Sequence, residues 1–231
     1  MAEALGWGAL AASSLVLGAL VGLARRWPKR LVGLVLGFGA GALISAVTFE
    51  LAEDGVAVGG AAAVAIGLGA GALTYFVCDG LVERPGRSGA GAALALGAFL
   101  DGIPEQLVLG LGIAIGNGVS VGLLAAIFVS NLPEAIGSAS GLRAGGRSNH
   151  QVVGLWCAVA AACTLATLLG YAAADNTSDH LQGGINGFAA GALLVMLVDS
   201  MIPEATRQAG RTTGLITTLG FAVGAGLSTV G

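Results

Sequence analysis

Charge is what this chain has least of. Asp, Glu, Lys and Arg make up 10% of its 231 residues, against about 25% in an ordinary soluble domain. That scarcity excludes a large soluble fold. Histidine is nearly missing, with two residues, His150 and His180, both in connecting segments; they read as surface residues. Cys78, Cys157 and Cys163 are the only cysteines and have no paired spacing. They read as reduced packing residues, which excludes a disulfide framework. No basic patch calls for a nucleic-acid partner, and no nucleotide-binding motif is present.

What fills the chain instead is apolar and small. Apolar residues make up 55% of it, and 41 residues are glycine without a collagen-like period. Mean hydropathy is +0.88. Runs of about 20 apolar residues cross a bilayer as helices. Eight such runs are expected, at about 5–24, 31–51, 57–81, 90–115, 119–141, 151–174, 184–205 and 212–230. The connections are short, so one all-α, polytopic transmembrane domain over 1–231 is expected. The first run has an acidic start at Glu3 and no basic leader, and it reads as a span rather than a signal peptide. Small residues let membrane helices approach closely, which suits a tight bundle.

The ten basic residues orient the spans. Arg25, Arg26, Lys29, Arg30, Arg84, Arg87, Arg143, Arg147, Arg207 and Arg211 all fall in the first, third, fifth or seventh connection. The even connections carry Glu53-Asp54, the Asn117 turn and Asp175 to Asp179. By the positive-inside rule the odd connections are cytoplasmic and both termini lie outside. An internal repeat follows the same logic. Gly37-Phe-Gly-Ala-Gly-Ala-Leu43 in span two resembles Gly187-Phe-Ala-Ala-Gly-Ala-Leu193 in span seven, 150 residues later. The two spans run in opposite senses, so the copies are inverted, an arrangement found around the midplane sites of transporters.

The acids that interrupt the apolar runs carry the chemistry. In span four, Asp101-Gly-Ile-Pro-Glu-Gln106 places Asp101 and Glu105 four residues apart, on one helix face. Pro104 between them removes a backbone donor and loosens the helix. A central Asp costs about 2.5–3.5 kcal/mol on insertion scales, so a bound cation or a proton must offset it. In span five, Ser130-Asn-Leu-Pro-Glu134 repeats the Pro-Glu pattern. The two spans are consecutive and antiparallel, so Asp101, Asn131 and Glu134 fall at similar depth. Oxygen ligands from two broken helices then enclose divalent ions. The plainer reading is a kink whose Glu caps freed amides. Asp199-Ser-Met-Ile-Pro-Glu204 in span seven is a third copy. Asp199 is either a ligand on the access path or a partner for Arg207. Glu50 and Asp79 sit at span ends and read as solvated.

These motifs resemble the ZIP family of divalent metal transporters over essentially the whole chain. The family's fourth span carries His-Asn-x-Pro-Glu-Gly, matched by Asp101 to Gln106. Its fifth carries a His- or Gln-led x-Pro-x motif ending in acids, matched by Ser130 to Glu134. Its seventh reads like Gly187 to Leu193 and Ile202 to Glu204. Its sixth has an acidic ligand before a Leu-Leu-Gly-Tyr-like ending; here Leu168 to Tyr171 follow, and Cys163 stands at the acidic position. The resemblance implies a permease rather than an enzyme, with eight spans in a 3+2+3 inverted repeat and a homodimer in the bilayer. It also implies alternating access at a midplane site, with no prosthetic group and a divalent ion as the substrate. The implied ligands are Asp101, Glu105 and Glu134, with Ser130 and Asn131 as neutral donors, Cys163 as a soft one and Asp199 beyond.

The departures shift the ion. Asp101 replaces the leading His, Gly102 the Asn and Ser130 the fifth-span His or Gln, and the His-rich cytoplasmic loop is absent. Losing imidazole and gaining carboxylate favours Mn²⁺ or Fe²⁺ over Zn²⁺, whereas Cys163 in the site pulls back toward Zn²⁺. The lost histidines also motivate a different expectation, a transport-inactive relative serving as a membrane scaffold or regulator. An intramembrane aspartyl protease using Asp79 and Asp101 lacks a Gly-x-Gly-Asp element.

Overall fold

The structure, a computed structural model, describes residues 1–82, 90–115, 121–174 and 178–228. Arg84, Arg87, Asn117 and Asp175, and the side chains of Asp101, Pro104 and Ser130, lie outside the described residues. The described chain is all helix, in eight rods. They are α1 (Ala2–Ala24), α2 (Lys29–Gly59), α3 (Ala61–Val82), α4 (Ala90–Ile115), α5 (Val121–Ala144), α6 (Asn149–Ala173), α7 (Asp179–Ala209) and α8 (Thr212–Ser228). Over the described residues, α1, α2, α3, α4, α6 and α7 are each long and apolar enough to cross a membrane. The helix α8 is apolar but shorter. The helix α5 carries Asn131, Glu134, Ser138 and Arg143 and packs against α1, α2, α4 and α8.

Two rods are interrupted, and they are not the two expected. The chain is helical straight through Pro104 in α4 and Pro133 in α5. In a packed bundle, neighbours and small adjustments compensate the lost backbone bond, and Gly39 of α2 leaves room for the Pro133 ring. The breaks lie in α2 and α7. Each begins with an 18-residue α-helical segment, Lys29–Ala46 and Asp179–Met196. Each then widens into a π-helical stretch, Val47–Glu53 and Leu197–Met201, and resumes as α-helix. Pro203 opens the resumed part of α7, where its missing N–H costs least. The expected loop at Glu53-Asp54 is therefore helix. Both acids are exposed, so α2 carries them and stops at Gly60, whose φ of +82° suits glycine.

Glycines set the helix directions by close backbone approach. A Cβ on Gly18 or Gly22 of α1 would meet the carbonyl of Leu132 or Ile136 on α5, so α1 and α5 run parallel. Likewise α3 is parallel to α7 (Gly67 at Gly184, Gly71 at Phe188), α2 to α8 (Gly37 at Thr213, Gly41 at Thr217) and α4 to α6 (Gly110 at Thr167 and Tyr171). In contrast α2 is antiparallel to α5, with Gly137 at Leu36 and Gly39 at Pro133. Odd rods thus share one sense and even rods the other. Arg25, Arg26, Lys29 and Arg143 gather around one cavity at one end of the bundle. At the other end, the His180 ring meets the Gly59 carbonyl at 2.8 Å.

The apolar interior is split in two. One cluster is built mainly by α2 and α7 with Tyr75 of α3. The other is built by α1, α6 and the ends of α4 and α5 that face them. Both α4 and α5 pass from one cluster to the other. Ala95 and Ala98 of α4 belong to the second, Val108, Leu109 and Ile113 to the first. Ile127 of α5 belongs to the first, Ala135 and Ala139 to the second.

Candidate functional site

The change-over on each of these helices is polar. On α4 it is made by Glu105 and Gln106, and on α5 by Asn131 and Glu134; all four are at most 2% exposed. Buried carboxylates are tolerated only where partners or a bound ion hold them. The seam between two apolar clusters is where such partners can converge.

Close approaches show what faces this seam. A Cβ on Gly97 of α4 would lie 3.1 Å from Glu134 Oε1 and 3.1 Å from Met196 Cγ of α7. Gly97 stands one helical turn before Asp101 in the sequence of α4. A Cβ on Gly102 would lie 2.8 Å from Cys163 Sγ of α6. Cys163 is fully buried and abuts the turn between Asp101 and Glu105. Gly102 and Cys163 are two of the departures noted above, and they touch: the side chain missing from α4 makes the space the thiol occupies. One turn on, the Thr167 hydroxyl donates to Gln106 Oε1. Sequence reasoning missed Thr167 and Ser138, both fully buried. Their signal was present, since each stands four residues beyond a named position, Cys163 and Glu134.

The donors are mostly oxygen. Asn131 Oδ1 is buried and has no hydrogen-bond partner among the described residues, which leaves an amide acceptor facing the seam unused. Among the described residues no three of His, Cys, Asp and Glu come together closely enough to hold a metal ion. Glu105, Glu134 and Cys163 therefore do not form a complete cage by themselves, and Asp101 and Ser130 are the remaining sequence-named donors.

Other sequence-named residues lie elsewhere. Asp199 is exposed within the π-helical stretch of α7. It is not the partner of Arg207, which instead pairs with Glu204 at 2.5 Å, one turn away on the same short helix. Asp79 is buried rather than solvated, because α3 turns it inward near its end. Glu50 is half-buried in the π-helical stretch of α2, within reach of Ser228 on α8, not free at a wet span end. His150 is exposed, as expected of a surface residue.

Residues 85–230 match the family profile described as ZIP zinc transporter. Comparison with curated proteins finds no match.

Proposed function

This chain belongs to the ZIP zinc transporter family, and from that premise we propose that it moves divalent cations through the seam between α4 and α5. It is a membrane transporter of metal ions by family. The finer reading concerns the site, the ion and the cycle. The observation that carries it is the burial of Glu105, Glu134 and Asn131 where α4 and α5 pass between two apolar clusters. Charge costs most there and a cation offsets it best.

In this reading Glu105 and Glu134 are the charged ligands from the two helices, joined by Asp101. Asn131 Oδ1 and Ser130 are neutral oxygen ligands. Cys163 is a soft donor behind Gly102, and Asp199 stands outside, on the access path. Oxygen dominates, so Mn²⁺ and Fe²⁺ pass at least as well as Zn²⁺. Metal ligands bind in their deprotonated form, so protons compete with the ion and uptake falls as external pH drops. The odd connections face the cytoplasm, and both termini face out across the cytoplasmic membrane.

Alternating access needs two matching halves. Three features support an inverted repeat of α1–α3 with α6–α8. The Gly-Phe motifs and the π-helical stretches recur at one spacing: Gly37 and Gly187, Val47 and Leu197. The pairing of α2 with α8 mirrors that of α7 with α3. The pairing of α1 with α5 mirrors that of α6 with α4. The π-helical stretches, where the backbone bond pattern already changes, are the places for the halves to bend.

The test is metal uptake into proteoliposomes by Glu134→Gln beside Glu53→Gln. Glutamine keeps shape and removes charge. The expected result is loss of uptake in Glu134→Gln with unaltered folding, and normal uptake in Glu53→Gln, whose side chain is exposed. Normal uptake by Glu134→Gln sinks the site. Absence of any uptake by the unaltered protein favours the transport-inactive scaffold.

A further inference from the structure

The strongest unassigned feature is the cavity at the basic end of the bundle. It has a volume of about 600 Å³, within the roughly 300–1,000 Å³ of small-molecule sites. Arg25, Arg26, Lys29 and Arg143 line it, from the end of α1, the start of α2 and the end of α5. Its one carboxylate, Glu204, is already engaged: it pairs with Arg207 and accepts from the Gln208 amide. The Arg207 guanidinium, at 2.5 Å from Glu204, lies outside the cavity lining. Four cations therefore share one cavity without a carboxylate of their own. Like charges held this close repel unless an anion joins them.

The cavity is also built rather than incidental. Trp27 is pinned by its indole N–H to the Val21 carbonyl at 2.7 Å, and the Arg25 guanidinium lies 3.9 Å over its ring. A stacked guanidinium keeps its N–H edges free for hydrogen bonding. Arg143 donates one N–H to the Leu23 carbonyl at 2.5 Å, which ties α5 to α1 and leaves its other donors available. The Ser140 hydroxyl, also on the wall, donates to the Gly22 carbonyl at 3.3 Å. The result is two positioned, planar guanidinium donors, Arg25 and Arg143, with the exposed Arg26 and Lys29 beside them.

We propose that this cavity binds a phosphate-bearing anion, with Arg25, Arg26, Lys29 and Arg143 as its donors. Planar guanidinium forks match phosphate oxygens two at a time. Basic pockets between membrane helices also suit anionic headgroups, at about 1 kcal/mol per Lys or Arg near the surface. Two sources supply this chemistry, an anionic phospholipid headgroup and a free phosphate. The proposal is independent of which ion the bundle moves.

The test measures the melting temperature of the full chain in neutral detergent at fixed ionic strength. The probes are dioctanoyl phosphatidylglycerol, dioctanoyl phosphatidylcholine and inorganic phosphate. A saturable rise with phosphatidylglycerol and not with phosphatidylcholine is expected. If inorganic phosphate alone gives the same rise, the anion is soluble; if it does not, the headgroup is the ligand. In the double variant Arg26→Gln/Lys29→Gln, loss of two cations weakens the apparent affinity about tenfold or more. Both side chains are exposed, so the unliganded melting temperature is expected to hold. Ser140→Leu keeps every cation but fills the cavity and also abolishes the rise. Arg211→Gln, at the same end but outside the cavity, leaves it unchanged. Equal responses to phosphatidylcholine, an unsaturable rise, equal loss in Arg211→Gln, or full binding by Ser140→Leu each overturn the proposal.

Discussion

The α4–α5 pair and the α3–α7 pair use their buried surface in opposite ways. Along α3 and α7, backbone lies on backbone: a Cβ on Gly191 would fall on the Leu68 carbonyl, and one on Gly187 on the Val64 carbonyl. That interface is made of fit, with glycine removing every side chain that would hold the rods apart. Along α4 and α5 the buried residues include Glu105, Gln106, Asn131 and Glu134, which gain nothing from fit and need charge or hydrogen bonds. Within this pair α3 is the outer rod: only 17% of its apolar stretch is buried, against 61% for α7 and 62% for α4. The bundle thus keeps its polar chemistry where lipid does not reach and secures it with close-packed helix pairs.

The largest effect that probes this contrast is at the α3–α7 pair. Gly191→Val forces a branched side chain into the Leu68 carbonyl and Ala72 amide. Overpacking costs about 1–3 kcal/mol where a core can give, and backbone gives less than side chains do. The expected outcome is loss of extractable folded protein, read by size-exclusion chromatography in detergent. A well-folded Gly191→Val protein removes the close-fit account of α3 and α7.

At the inner pair the change is in chemistry, not in folding. Asp101→His is expected to shift competition in uptake assays toward Zn²⁺, since imidazole nitrogen suits zinc, with the folded yield unchanged. If Zn²⁺ already outcompetes Mn²⁺ and Fe²⁺ strongly in the unaltered protein, the oxygen-ligand argument is wrong. Cys163 then becomes the residue to replace.

The smallest effect sharpens the contrast from the lipid side. A Cβ on Gly69 of α3 meets nothing within 4 Å. Gly69→Ala is expected to stabilise slightly, by about 0.4–1 kcal/mol, through lost unfolded-state freedom and better helix propensity. A marked drop in thermal stability would show that this face of α3 is covered by something other than lipid.

Much of the candidate site was legible because its residues break a strong pattern. Glu105, Asn131 and Glu134 stand out in apolar runs, and each is buried on the helix expected of it. Asp199 and Asp79 were placed by depth along the sequence alone, and depth says nothing of direction. The structure turns Asp199 outward and Asp79 inward. Thr167 was passed over because a threonine in an apolar run breaks no rule; its spacing from Cys163 was the only hint, and its partner Gln106 marks it.

The sequence by itself determined that the chain is a membrane bundle, how many rods it has, and that alternate connections are basic. Those properties reside in local runs of hydropathy and charge, which survive without knowledge of neighbours. Only the tertiary structure decided where the rods break, which face of each is inward, and that Gly102 and Cys163 fill one another's space. The reason is the solvent. In water, polarity marks a helix's outer face, but in lipid both faces are apolar. The inward side is then set by close packing of small residues, and that is a property of pairs of helices.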